Sequence, residues 1–195
     1  MNNSTDKSKM NNNGDVDFYK DDNWLRTCIE GILFISESPV KLADISYTLK
    51  VSENKINKII KLLENEYIEQ NRGFILKRVA RGFRFYSNPV IRDILKKFVK
   101  SNIRTHLSQA AIETLAIVAY KQPVTRTQIA EIRGVRTESV ILTLVSKGLI
   151  KEVGKLKEPG NPIIYRTTDK FLELLGIDRL KNLPPLEDFK ENGGS

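Results

Sequence analysis

The chain has 195 residues, a formal net charge of +8 and a hydrophobic fraction of 40%, which is enough apolar material for one folded domain or two. Its single cysteine, Cys28, excludes an intramolecular disulfide, and its apolar runs are far shorter than the roughly 20 residues of a membrane-spanning helix. Residues 1–21 are polar and carry no apolar segment of signal-peptide length. We therefore expect a cytoplasmic protein with a disordered tail over residues 1–21.

The positive charge favours a nucleic-acid partner, because fixed cations attract phosphate whatever the base sequence. Lys, Asn and Ile are all abundant, however, and an AT-rich genome produces that bias without selection for a basic surface. Charge alone therefore leaves nucleic-acid binding open.

The first half predicts three helices and a hairpin. Asp21 and its neighbours cap a helix over residues 24–35, and apolar positions at spacings of three and four predict two more, over 40–49 and after the cap Ser52. Period-two alternation then predicts a β-hairpin over 74–86. A further helix over 89–100 leads into a polar connector at 101–106.

The second half repeats this order of elements. Ser108 is expected to cap a helix that Gln122 and Pro123 end, and Thr125 with Gln128 fits a capping box for the next helix. Gly134 suits the left-handed C-cap of that helix. A third helix follows over 137–148, then a hairpin over 149–166 with a loop at 154–162, and a last helix that Gly176 ends.

A short internal match supports duplication. The recurring residues are Pro39, Val40 and Ile45 in the first half and Pro123, Val124 and Ile129 in the second. Three helices followed by a hairpin describe a winged helix. The sequence therefore predicts an α+β, mainly helical protein with two tandem winged-helix domains over residues 22–104 and 105–189, and a C-terminal tail over 190–195.

No catalytic, cofactor or metal site is predicted. The chain has no GxGxxG, Walker or HExxH motif, and its one histidine, His106, has no cysteine or second histidine to complete a metal site. A serine or cysteine nucleophile normally needs a histidine base, and His106 lies in the connector. We expect a protein that is not an enzyme and that uses no cofactor.

One stretch is clearly basic, and we consider nonspecific DNA contact through it. The aromatic residues interleaved there, Phe83, Phe85 and Tyr86, alternate as hairpin core residues do, so we interpret them as packing rather than base-stacking platforms. By contrast, the third helix of the first domain has a mixed-charge face. The candidate DNA contacts are Lys77, Arg78, Arg81, Arg84, Lys96, Lys97 and Lys100.

The second half carries a long motif, LSQAAIETLAIVAYKQPVTRTQIAEIRGV over residues 107–135. It closely resembles the signature of the segregation and condensation protein B (ScpB) family. The resemblance continues through GNPIIYRTT at 160–168, FLELLGI at 171–177 and LPPL at 183–186, and more weakly through IEGILFISESPV at 29–40. Two departures are Lys155 and Asn161, which stand where the family tends to have arginine.

The resemblance implies a homodimer formed largely through the N-terminal domains. It also implies binding to the kleisin subunit (ScpA), and through it to the SMC ATPase, in chromosome condensation and segregation at cell division, with the protein associated with the nucleoid. We expect a kleisin-facing rim within the signature, in which Arg126 and Arg133 lie two helical turns apart on one face. The rim residues are Tyr120, Gln122, Pro123, Thr125, Arg126, Arg133, Gly134 and Val135.

The first helix supplies more apolar side chains than one small domain normally hides, which favours a dimer face there. The alternative function is a winged-helix transcription regulator that binds a specific DNA site as a dimer. The sequence contains no membrane or small-molecule motif. The candidate dimerisation residues are Trp24, Leu25, Ile29, Ile32 and Phe34.

Overall fold

The computed structural model describes residues 9–10, 16–17, 21–99 and 107–185. Within the predicted tail, Lys9–Met10 (β1) pairs antiparallel with Val16–Asp17 (β2). The rest of that tail lies outside the described residues. So do the connector with His106, the candidate DNA contact Lys100 and the predicted C-terminal tail.

The described residues divide into two compact units. The first unit runs up to Lys77 and includes Gly82–Arg92, and the second contains Arg78–Arg81 and the residues from Asp93 onward. Each unit mixes helices with a three-stranded antiparallel sheet, and the first also contains the β1-β2 pair, so the protein is α+β and mainly helical, as predicted. Within the described ranges, none of the helices combines the length and the apolar character that a bilayer crossing requires.

The first half of the chain forms its helices and hairpin where the sequence predicts them. Asp21 caps α1 by accepting a hydrogen bond from the Trp24 amide at 2.7 Å, whereas Ser52 precedes α3 without a side-chain cap bond. The predicted helix over 89–100 is shorter, with a 3₁₀ turn at Pro89–Ile91 before it. The elements are α1 Asp22–Ile35, β3 Val40–Lys41, α2 Leu42–Leu49, α3 Glu53–Glu69, β4 Phe74–Val79, β5 Gly82–Ser87 and α4 Arg92–Phe98.

A third strand in the first sheet was not predicted. Val40, which periodicity assigns to the second helix, instead lies in β3 and pairs with Phe83 of β5, and Lys41 pairs with Gly82. The strand order is β3-β5-β4. The tertiary pairing overrides the local helical pattern here, and it ties the segment between α1 and α2 to the hairpin.

The core of the first unit lies between its three helices and the inner face of the sheet. Leu25, Ile29, Ile45, Ile56 and Ile60 are completely buried there. Each such side chain stabilises the folded state by about 1.5–3 kcal/mol, because its apolar surface is removed from water. This packing is the main source of stability for helices that are individually short.

The second unit has the same order of elements. The Ser108 hydroxyl accepts from the Ala111 amide at 3.2 Å, the predicted capping box at Thr125 and Gln128 forms, and Gly134 adopts the left-handed C-cap at φ 69°. These three predictions are confirmed. The elements are α5 Gln109–Lys121, β6 Val124–Thr125, α6 Arg126–Arg133, α7 Glu138–Ser146, β7 Ile150–Lys155, β8 Ile163–Thr167, α8 Asp169–Leu175 and a 3₁₀ turn Leu180–Asn182.

The predicted internal repeat is visible in the sheets. Val124 of β6 pairs with Tyr165 of β8 as Val40 pairs with Phe83, and the second sheet has the corresponding order β6-β8-β7. Ile45 and Ile129 are both fully buried. Each half therefore has the helix, strand, helix, helix, hairpin order of a winged helix.

We expect Gly82→Ala to destabilise the first unit. A Cβ at this position would lie 2.8 Å from the Pro39 carbonyl carbon and 2.9 Å from the Val40 carbonyl oxygen, so backbone would have to move, at a cost of about 1–3 kcal/mol. The free energy of unfolding, measured in denaturant through the fluorescence of the single tryptophan, Trp24 in α1, reports on this unit.

Gly31→Ala is the matched control. A Cβ at Gly31 meets nothing within 4 Å in the middle of α1, so the change should stabilise the same unit by about 0.5–1 kcal/mol. Equal effects of the two substitutions would contradict the close approach of β5 to β3.

Candidate functional site

The second unit contains an open groove of about 760 Å³ between the first turn of α6 and the wing, defined here as the loop and strand ends over residues 155–163. The groove is a concave surface with both polar and apolar walls. Side chains that line it include Arg126, Thr127, Lys155, Glu158, Asn161 and Tyr165.

The pairing of β6 with β8 builds one side of this groove. Val124 lies opposite Tyr165 and Thr125 lies opposite Ile164, and α6 begins at the next residue, Arg126. The first turn of α6 is therefore held beside β8 by backbone pairing rather than by side chains.

The wing forms the other side and is held by its own backbone. The Asn161 amide donates to the Glu158 carbonyl at 2.8 Å, with Pro159 and Gly160 between them, and Gly160 has φ +85°. This is the pattern of a type II turn, which needs glycine at its third position. The Leu156 amide closes the base by donating to Pro162 at 2.9 Å.

Charges of both signs surround the groove. The side chain of Arg126 is 60% exposed, and its contact with Glu138 is long, at 4.0 Å. This ion pair therefore contributes little to the free energy of folding. Lys155, Glu131 and Glu158 also line the groove, and no ion pair joins any of these three to another described residue. All four charges are available to a partner.

Tyr165 lies at the bottom of the groove. It is only 6% exposed, and its hydroxyl makes no hydrogen bond to the described residues although the ring lines the groove. Burial raises the pKa of Tyr165, and the charge of Glu152 acts in the same direction while Arg126 opposes it. The hydroxyl therefore stays protonated at neutral pH and can donate a hydrogen bond.

Two predicted rim residues have clear roles in the fold. The Tyr120 hydroxyl donates to the Pro184 carbonyl at 2.7 Å, which holds the C-terminal segment against α5. The Gln122 side chain accepts from the Thr167 amide at 3.0 Å and donates to the Ala119 carbonyl at 3.1 Å, which joins the end of α5 to β8. The Gln122 amide is therefore engaged within the fold, and its place in the rim stays a prediction.

Thr125 and Arg133 also have roles in the fold. Thr125 is 4% exposed because its side chain caps α6. Arg133 donates to the Ala110 carbonyl at 3.0 Å and pairs with Glu113 at 2.5 Å, which leaves its side chain 14% exposed. Arg133 thus joins α6 to α5 and has a role in the fold.

The remaining rim residues lie at the surface. Arg126, Pro123 and Val135 are exposed, and Gly134 is exposed while it serves as the C-cap of α6. The peptide bond between Gln122 and Pro123 is cis. Of the two arginines, only Arg126 offers its guanidinium to a partner.

The predicted dimer face on α1 is smaller than the sequence suggests. Leu25 and Ile29 are completely buried in the core of the first unit, so they offer no area to a second copy. Trp24 and Ile32 are partly buried against that core. Phe34, by contrast, is 84% exposed beside Ile35 at 77%.

The basic stretch is divided between the two units. In the first unit Lys77 is exposed and Arg84 is half-buried, whereas Lys97, exposed, and Lys96, which pairs with Asp93 at 3.7 Å, belong to the second. In the second unit Arg78 pairs with Asp178 at 3.4 Å and Arg81 pairs with Asp169. These pairs lower the positive charge available to phosphate.

The aromatic residues of the first hairpin pack as predicted. Phe83 is 4% exposed, and the ring of Phe85 lies 5.3 Å from Tyr67 and 5.2 Å from Phe74, centroid to centroid. Burial and a hydrogen bond to Glu30 raise the pKa of Tyr67 to about 12. These rings belong to the core and are not a stacking platform for bases.

Sequence reasoning missed Tyr165 and Thr127 as groove residues. The internal repeat could have identified Tyr165. Val124 in the second half corresponds to Val40 in the first, and Tyr165 pairs with Val124 as Phe83 pairs with Val40. The two departures from the family pattern, Lys155 and Asn161, both line the groove.

The chain is similar to a known protein family over most of its length. The model of the family described as "Segregation and condensation complex subunit ScpB" matches residues 27–186. Segregation and condensation protein B of Clostridium botulinum (strain Kyoto / Type A2) is 40% identical over 166 residues, which covers 85% of this chain and 86% of that protein. The protein of the same name from Clostridioides difficile (strain 630) is 38% identical over 169 residues, covering 86% and 94%.

Among solved structures, ScpB from Mycobacterium tuberculosis is 32% identical to this chain. The match covers 80% of this chain and 98% of that one, with a TM-score of 0.41. The family match at residues 27–186 spans more than three quarters of the sequence and reaches into both units. The chain therefore belongs to the family of the segregation and condensation complex subunit ScpB.

Proposed function

We propose that this chain is a non-catalytic accessory subunit of a bacterial SMC–kleisin complex. It acts as a homodimer, binds the kleisin subunit ScpA and through it the SMC ATPase, and assists chromosome condensation and segregation at the nucleoid without hydrolysing ATP. The observation that carries the proposal is the family match over residues 27–186. That match includes both winged-helix units, so it is more specific than a likeness to winged helices in general.

The surface of α7 supports a protein partner over DNA. In a DNA-binding winged helix, the third helix enters the major groove with polar and basic side chains. The sequence of α7, ESVILTLVS, contains no lysine or arginine. Its Thr143 hydroxyl donates to the Ser139 carbonyl at 2.8 Å and its Ser146 hydroxyl donates to the Thr143 carbonyl at 2.9 Å, so both are already engaged by backbone.

The corresponding helix of the first unit, α3, supports the same interpretation. Its exposed face mixes lysines with glutamates, and Lys55 pairs with Asp22 at 3.0 Å while Glu66 pairs with Arg26. A face of mixed sign repels phosphate as often as it attracts it. Direct DNA contact through the basic stretch is therefore secondary in this proposal.

We place kleisin binding in a C-terminal domain over residues 105–189 and dimerisation in an N-terminal domain over 22–104. Arg126, Pro123, Gly134 and Val135 form the exposed part of the kleisin-binding surface. Phe34 is the centre of the dimer face, with Trp24 and Ile32 at its edge. Burying a phenylalanine that is 84% exposed in the protomer stabilises an interface by about 1.5–3 kcal/mol.

The purified chain should capture purified kleisin and should run as a dimer in light scattering. In parallel, a mobility shift on duplex DNA across salt concentrations should show only weak binding that weakens as salt rises, because any contact goes to phosphate. A monomer that ignores the kleisin and binds one DNA sequence tightly would instead identify a transcription regulator.

Phe34→Asp should convert the dimer to a monomer. It places a charge in the proposed interface and removes the apolar contact, which weakens association by about 10- to 100-fold, while the protomer stays folded because the side chain is outside the core. Analytical ultracentrifugation over a concentration series measures the dissociation constant.

Tyr47→Asp is the matched control for the dimer face. Tyr47 is 87% exposed on α2 and lies outside the proposed interface. Its dissociation constant should match that of the unmodified chain. Dimers of equal strength in both variants would place the interface elsewhere.

A further inference from the structure

The groove between α6 and the wing concentrates hydrogen-bond donors. The amides of Arg126 and Thr127 are the first two in α6, and amides at these positions have no carbonyl within the helix to bond. The capping box serves the amides of Thr125 and Gln128 instead. Two backbone donors at the positive end of a helix therefore lie at the wall of the groove.

The bottom of the groove points independently to an acceptor ligand. Tyr165 is more than nine-tenths buried, lines the groove and has an unused hydroxyl. The hydroxyl oxygen itself is not among the fully buried unpaired atoms of the described residues, so it can be reached from the groove and can donate to a ligand oxygen there. The Arg126 guanidinium, whose contact with Glu138 is long at 4.0 Å, and the Lys155 ammonium add two cations at the groove.

The acidic residues of the groove restrict the ligand further. Glu131 and Glu158 line the same cavity, and their charges repel a chain of phosphates such as duplex DNA. A single carboxylate of the ligand can accept hydrogen bonds from these donors. A basic residue near that carboxylate offsets its negative charge beside Glu131 and Glu158. The hydrogen-bonded turn at Pro159–Gly160 shapes the wing before a ligand binds, which limits the ordering needed on binding.

We propose that this groove binds an aspartate or glutamate side chain of an extended kleisin segment in which a lysine or arginine lies nearby. The carboxylate accepts from the Arg126 and Thr127 amides and from Tyr165, and Arg126 and Lys155 supply the charge. This inference rests on the proposed function, because the kleisin is the partner that presents the segment.

The wing provides a matched pair of variants. Lys155 lines the groove, whereas Lys157, two residues away and also exposed, does not. With the full-length chain and purified kleisin in calorimetry at about 0.1 M salt, Lys155→Gln should weaken binding roughly ten-fold, as loss of a charge-assisted bond does. Lys157→Gln should stay within about two-fold, as for an unpaired surface charge.

Arg126→Gln and Tyr165→Phe test the other donors. Arg126→Gln should weaken binding about ten-fold, and Tyr165→Phe, which removes only the hydroxyl, should weaken it several-fold. Thermal unfolding checks that each variant is folded. Arg126 and Lys155 are both exposed, so their substitution leaves the core intact. These two variants therefore test the groove assignment even if Tyr165→Phe unfolds.

The outcomes separate the groove from the wider function. If the unmodified chain binds kleisin and the Lys155, Lys157 and Arg126 variants all bind equally well, the groove assignment is wrong while the proposed function stands. If the unmodified chain does not bind kleisin, the proposed function fails, and the groove assignment fails with it. Groove variants that lose affinity for inorganic phosphate or duplex DNA, but not for kleisin, would show a phosphate site and also overturn the proposal.

Discussion

The pairing of a two-residue strand with the second strand of each hairpin is the constraint on which the structure depends. In the first unit Val40 pairs with Phe83, and in the second Val124 pairs with Tyr165. Each pairing joins the segment between the first two helices to the hairpin, so three helices close over one sheet. In the second unit the same pairing sets the first turn of α6 beside β8, and the groove follows from it.

This scaffold leaves different surfaces exposed from those of a DNA reader. The third helix of each unit is the one that would enter a major groove. In the second unit this helix, α7, contains no lysine or arginine. In the first unit it is α3, which has charges of both signs, some of them paired. The groove of the second unit has unengaged donors and charges, and the most exposed aromatic side chain of α1, Phe34, lies on the first unit. Polypeptide partners account for both surfaces better than a duplex does.

Local signals in the sequence predicted the hairpins and most of the caps, because a cap is decided by residues three apart in the chain, although Ser52 makes no side-chain cap bond. Ser108, Thr125 with Gln128, and Gly134 all took their expected positions. Contacts distant in sequence were not predictable in this way. Arg133 binds α5 through Ala110 and Glu113, Gln122 binds β8 through Thr167, and Val40 leaves its helix for the sheet. Burial likewise moved Leu25 and Ile29 from the dimer face into the core.

Hydrogen exchange of the full-length chain, with and without purified kleisin, tests most directly whether the second unit holds a polypeptide in this groove. The amides of Arg126 and Thr127 have no partner within α6 and should exchange rapidly in the isolated protein. Kleisin should slow exchange there and in the wing over residues 155–163, and should leave α7 unchanged. Protection confined to α7, or protection of the groove by duplex DNA but not by kleisin, would contradict the account.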